Sequence, residues 1–290
     1  MEIFGLGACL LHGPLGAAGR LGIATSSFSR IPNGVLPPAY SIDEAVQLVR
    51  FVGGDITIPS ELRPFCSVPQ AMDPTTVPGG ALSTADIVIL EINSPVRIVY
   101  RDLCLVRSEI MGRIFEPLRA IQPDIVGAIN AWYYRGLLSC EEPVRKSASE
   151  ALVSSVPDHW EDAELLRSIL SETRGSIRNA QELEQGIGAL LGLVEGVPLG
   201  VMTYTHQYTP DGRPLPWPPE FVEQQVAAAT KLGLPYFQPS RVVEQVGVAE
   251  ALQEDRVHYR DEFQNVMADV LVDFANHVSS AAVKTRAVHA

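Results

Sequence analysis

The chain has 290 residues, of which 46% are hydrophobic and 19% charged, an ordinary globular mix rather than a disordered one. At this length a fold buries roughly three-quarters of its unfolded surface, so no disulfide or metal staple is needed. The formal charge of −12 and the scatter of basic residues along the chain disfavour a nucleic-acid partner, because phosphate binding rests on clustered Lys and Arg.

The four cysteines, Cys9, Cys66, Cys104 and Cys140, form no CxxC pair and have no His/Cys spacing suited to zinc. The opening MEIFGLGACLLHGPLG lacks a basic segment and carries Gly and Pro where a helix would run, so it is read as a strand and a loop, not a signal peptide. No apolar stretch approaches the ~20 residues that span a bilayer. A cytoplasmic protein with reduced thiols and no membrane partner is expected. With no dinucleotide fingerprint, no phosphate loop and no metal-ligand spacing, no cofactor is expected either.

In chain order, Glu2 to Leu6 reads as a first strand ending in the turn Gly7-Ala8-Cys9. A helix follows from Ser41 to Phe51, with Asp43 and Glu44 in its first turn, where they favour the positive end of the dipole. Val52 to Ile58 is the expected second strand. Ala85 to Ile92 is the clearest strand, its continuous Ile/Val/Leu character predicting a central parallel position covered on both faces. From about 101 to 193 the pattern is helical, with three- and four-residue apolar spacing over Leu103 to Ile121 and Glu161 to Leu170. Pro198 to Tyr204 is a further strand, followed by the Pro-rich PDGRPLPWPP. A helix over Glu220 to Leu232, a short strand over Leu234 to Phe237 and an amphipathic helix over Asp261 to Val278 complete the pass. Strands alternating with helices predict a parallel sheet built by right-handed crossovers. One domain over 1–290 with a helical insert at about 101–193 is expected.

In such sheets ligands sit beyond the carboxyl ends of the strands. Those positions hold Gly7, Ala8 and Cys9 after the first strand, Asn93 after the third, and Thr205 with His206 after the fourth. Asp255-Arg256-Val257-His258 follows the last strand and a short helix. A thiol, an amide, two histidines and a carboxylate suit nucleophilic acyl chemistry: nucleophile, base, orienter and oxyanion donor. Each has a plainer reading. Cys9 can fill a tight turn, Asn93-Ser94-Pro95 can be a turn alone, and Asp255 can cap the helix that follows. His206 can be a structural histidine, and His12 is read as a loop-surface residue. Trp132-Tyr133-Tyr134 and Trp217 suit core or cap packing better than the wall of a groove.

The same residues resemble the SGNH/GDSL hydrolases. In that family a Gly-Asp-Ser turn after the first strand carries the nucleophile, a Gly-x-Asn after the third supplies an oxyanion donor, and a C-terminal Asp-x-x-His supplies orienter and base. This chain has Gly7-Ala8-Cys9, Glu91-Ile92-Asn93 and Asp255-Arg256-Val257-His258 at those places. The turn is closest to a bacterial branch carrying Gly-Ser-Cys. The resemblance implies a flavodoxin-like three-layer α/β/α sandwich with a central parallel sheet. It also implies an esterase or acyltransferase with Cys9 as nucleophile, His258 as base, Asp255 as orienter and Asn93 as oxyanion donor. Gly7, Ala8 and His206 would line the substrate site, with a small acyl substrate or a peptide as partner. The family's Gly after the second strand has no counterpart, since Gly53 and Gly54 precede the expected strand. The alternative is a catalytically silent scaffold of the same fold that binds a peptide or partner protein.

Overall fold

The computed structural model describes residues 1–26, 38–66, 68, 84–209, 211–215 and 220–289. The chain, expected as one domain, is traced as two compact units, one of 1–57, 71–95 and 179–290, the other of 58–70 and 96–178.

The first unit opens with β1 (Glu2–Leu6), α1 (Cys9–Leu21), β2 (Thr25–Ser26) and α2 (Ile42–Val52), and continues to β3 (Ile87–Glu91). The second unit then supplies β4 (Val96–Tyr100), β5 (Leu103–Cys104), helical turns between 107 and 136, α3 (Glu142–Ser155), α4 (Ala163–Glu172) and β6 (Arg174–Ile177). The chain returns to the first unit with α5 (Ala180–Leu193), β7 (Leu199–Met202), the short ribbon β8 (Gln207–Tyr208) and β9 (Pro214–Leu215), and α6 (Phe221–Lys231). It closes with β10 (Tyr236–Phe237), α7 (Pro239–Val246) and the long α8 (Asp261–His289).

The five strands β10-β7-β3-β1-β2 form one parallel sheet in that order. All five residues of β3 are buried, as its apolar run predicts for a strand covered on both faces. Alternation along the strands splits the core. Ile3, Ile87 and Ile89 pack with Leu11 and Leu15 of α1 and with Phe263, Met267 and Leu271 of α8. On the other face α5 packs against α2 and α6. The first unit is therefore an α/β/α sandwich around a parallel sheet. Among the described residues no helix is long and apolar enough to cross a membrane.

Several elements differ from expectation, each for a physical reason. The second strand is not 52–58; α2 runs through Val52 and turns at Gly53-Gly54, while the edge position is taken by two residues, Thr25 and Ser26. A two-residue strand is too short for alternation to register. The stretch read as a loop after Cys9 is α1, which continues through Gly13 and Pro14. Its apolar residues Leu10, Leu11, Pro14, Leu15, Ala17 and Ala18 are buried, and a Cβ at Gly13 would stand 3.2 Å from Gln264 of α8. Tertiary packing outweighs poor local propensity here. Glu44 stands in the first turn of α2, as expected, and is buried there. It accepts the Tyr40 N–H at 2.7 Å, and desolvation pushes its carboxyl up to about 7.

The stretch expected as all-helical, 101–193, is mixed. β4 pairs antiparallel with both β5 and β6, and α5 belongs to the first unit. Trp132 is core: it is 2% exposed, donates Nε1–H to the Leu170 carbonyl at 2.8 Å and meets Phe115 edge-on at 5.4 Å. Tyr134 is exposed, and Trp217 lies outside the described residues.

Candidate active site

Read from one edge, the sheet order is β2-β1-β3-β7-β10, the doubly wound arrangement whose connections leave β1 and β3 in opposite directions. A crevice opens beyond the carboxyl ends of those two strands, and that is where the turn after β1 lies. The turn passes tightly over the end of β3: a Cβ at Gly7 would stand 2.6 Å from Glu91 Cβ and Oε2. Only glycine fits such an approach without displacing backbone. Gly7→Ala is expected to destabilise the protein by about 1–3 kcal/mol, the cost of overpacking a filled core, measurable as a lowered urea midpoint with an unchanged slope.

Beyond Gly7, the Ala8 N–H donates to Glu91 Oε2 at 2.7 Å, and Cys9 is the first residue of α1. Glu91 is 1% exposed, and burial pushes its carboxyl up to about 7 despite hydrogen bonds from the Ala8 N–H and the Asn93 side chain. Cys9 is exposed and in no disulfide. Surrounding protein and the Glu91 charge raise its thiol, while its own N–H and that of Leu10, at the helix start, act the other way. The resting group is a thiol rather than a thiolate.

The histidine arrives on a loop that ties itself together. Leu252 and Tyr259 bridge in antiparallel fashion, Gln253 N–H donates to the His258 carbonyl at 2.8 Å, and Gln253 Nε2 donates to the Tyr259 carbonyl at 3.0 Å. Asp255 Oδ1 accepts the N–H groups of Val257 and His258, both at 3.0 Å, and Oδ2 lies 2.5 Å from His258 Nδ1. The His258 contacts hold the Asp255 carboxyl down at about 2. Arg256, between them, has φ 58°, a left-handed conformation that costs a non-glycine residue on the order of 1 kcal/mol. Tyr259 anchors the loop, its buried hydroxyl 3.2 Å from Oγ1 of Thr205, three residues beyond β7.

Cys9 and His258 line the same open cavity of about 610 Å³, with His12, Tyr40, Tyr259 and Gln264 among its other walls. Of the residues singled out from sequence, Cys9 and His258 line this cavity, while Gly7, Ala8 and Asp255 adjoin them without being in its lining. Asn93 stands beside it but not in its lining: its N–H donates to the Tyr40 carbonyl at 2.8 Å and its Oδ1 is buried without a hydrogen-bond partner among the described residues. His206 is not in the lining either; its N–H donates to Ser240 Oγ at 2.8 Å. His12 is a correction: it lies one turn past Cys9 on α1, lines the cavity, and burial lowers its imidazole to about 4. A loop reading of 9–16 hid this i, i+3 relation. Sequence reasoning does not single out Glu91, although a charged residue ending an all-apolar strand is a signal for such a buried group. The segment after β2, where a second oxyanion glycine would fall, lies outside the described residues. Among the described residues no group of three or more His, Cys, Asp and Glu side chains is placed to hold a metal ion.

The fold and crevice define a doubly wound α/β protein with a thiol and a carboxylate-bound imidazole at its switch point. The chain belongs to the TviD N-terminal domain family, whose model matches residues 1–274. No curated protein matches it. Among solved structures it is similar to the inhibitor-bound form of the M. smegmatis aryl esterase. The match is at 11% identity, covers 96% of this chain and 99% of that one, and has a TM-score of 0.34.

Proposed function

We propose that the chain is an acyl hydrolase or acyltransferase of SGNH type, acting on an ester, thioester or amide through Cys9. The observation that carries this reading is that Cys9 and the Asp255-bound His258 share one cavity. Asp255 occupies Nδ1 and so leaves Nε2 of His258 to take the thiol proton. The sulfur then forms a bond to the acyl carbon, and the alcohol, thiol or amine leaves with the proton returned by His258. Water or an acceptor hydroxyl next attacks the thioester and regenerates the thiol. The Cys9 N–H, at the start of α1, is the oxyanion donor best suited to this chemistry, with the helix dipole behind it. A thiol raised by its surroundings makes the base necessary rather than optional.

The test is intact mass after exposure to short acyl thioesters and p-nitrophenyl esters. An acyl adduct that maps to Cys9 and vanishes in Cys9→Ala is expected. Turnover that persists undiminished in Cys9→Ala would remove the proposal. A second reading, a scaffold that binds without turnover, is favoured by one observation: the side chain of Asn93, the expected oxyanion donor, bonds Glu91 and is not in the cavity lining. Absence of any adduct or released nitrophenol across the panel moves the balance to that reading.

A further inference from the structure

The second unit carries a feature that linear sequence hides. Along β4, Ile98 and Tyr100 are buried on one face while Arg97 and Val99 lie on the other. The antiparallel register sets Ser176 opposite Arg97 and Arg174 opposite Val99, so β6 adds Arg174 to the same face. Arg101 follows at the end of β4, and α3 contributes Arg145 and Lys146. These five cations line one cavity of about 910 Å³, against two carboxylates, Glu142 and Glu172.

The charge pattern is not what composition supplies. The chain has 22 Lys and Arg against 34 Asp and Glu, yet nearly a quarter of its cations converge on a single concavity. Part of the pocket is held in place by its own bonds. Arg145 Nη1 donates to the Ser139 carbonyl at 2.7 Å, Arg101 Nε meets Glu172 Oε2 at 3.2 Å, and the guanidinium of Arg101 lies 4.8 Å from the Tyr100 ring centre. The buried Ser149 hydroxyl donates to the Lys146 carbonyl at 3.0 Å and steadies that turn of α3. Four guanidinium forks in a concave wall match the geometry of phosphate and carboxylate oxygens, and a recess in which five cations outnumber two carboxylates favours anions.

We propose that this pocket binds a small polyanion whose charges are phosphate or carboxylate groups. The proposal is independent of the chemistry assigned to Cys9. Its test is calorimetric titration of the full chain at fixed ionic strength, with inorganic pyrophosphate in one arm and citrate in the other. Saturable one-to-one binding of at least one anion is expected, weakened about tenfold or more by the double variant Arg174→Gln/Lys146→Gln. Arg101→Gln, at a side chain 64% exposed and so safe to change, is the second variant and moves affinity in the same direction. Arg174→Lys keeps the charge but not the fork, and retains more affinity than Arg174→Gln. Binding of pyrophosphate alone assigns a phosphoryl ligand, and binding of citrate alone a polycarboxylate. Failure of both anions to bind at millimolar concentration overturns the proposal, as does wild-type affinity in both the double variant and Arg101→Gln.

Discussion

On any ester or thioester that the chain turns over, His258→Ala is expected to lower kcat by about 10²–10⁴-fold, the range for loss of a positioned general base. Two features of the site make the effect large. Burial and Glu91 keep the Cys9 sulfur protonated, so little thiolate is available without a base to take the proton. The other imidazole among the described lining residues, His12, is held down at about 4 by burial and is a weak base there. The His258 side chain is 49% exposed, so its removal leaves the core intact and the fold should survive. Single-turnover acylation, followed by mass, separates this loss from a change in substrate binding. A variant that acylates Cys9 at the wild-type rate would exclude His258 as the base.

The second large effect concerns Glu91→Gln. Burial raises the Glu91 carboxyl to about 7 from an ordinary 4.5. A raised folded-state value means that the folded chain keeps its proton while the unfolded chain gives it up. The stabilising contribution is therefore complete below pH 4.5 and is lost as pH rises through 7. For this one group the loss is on the order of 3 kcal/mol across that interval. Glutamine keeps an oxygen for the Ala8 N–H but does not titrate, so the urea stability of Glu91→Gln should fall much less between pH 5 and 7.5. Some slope remains from Glu44, which is raised to about 7 by the same cause. Asp255 acts in the opposite sense and at lower pH, its contribution lost as pH falls from about 4 toward 2.

The same substitution reports on the thiol. Glu91 is the second cause, after burial, of the raised Cys9 value, and its charge also faces Tyr259. Without that charge, the pH midpoint for Cys9 alkylation by iodoacetamide should move down. An unchanged midpoint together with an unchanged stability slope would mean that Glu91 is already neutral at every pH tested. Ionisation of Glu91 thus acts to raise the Cys9 thiol further.

Much of the fold was legible because its determinants are local. The Ile/Val/Leu run of β3 announces a strand buried on both faces, and the helical run from Ser41 to Phe51 announces α2. The Asp255–His258 pair spans three residues, and its hydrogen bonds are set by one turn of backbone, so it too is written in the sequence. The placement of Cys9 after β1 follows from the strand's end. What only tertiary structure decided rests on partners distant along the chain. α1 runs through Gly13 and Pro14 because α8, some 250 residues later, covers its apolar face. Glu91 is a proton-holding group because the Gly7 turn seals it from water, and a two-residue β2 exists only because β1 offers it an edge. The cationic pocket needs β4, α3 and β6 together, so basic residues that look scattered in one dimension become a concentrated field in three.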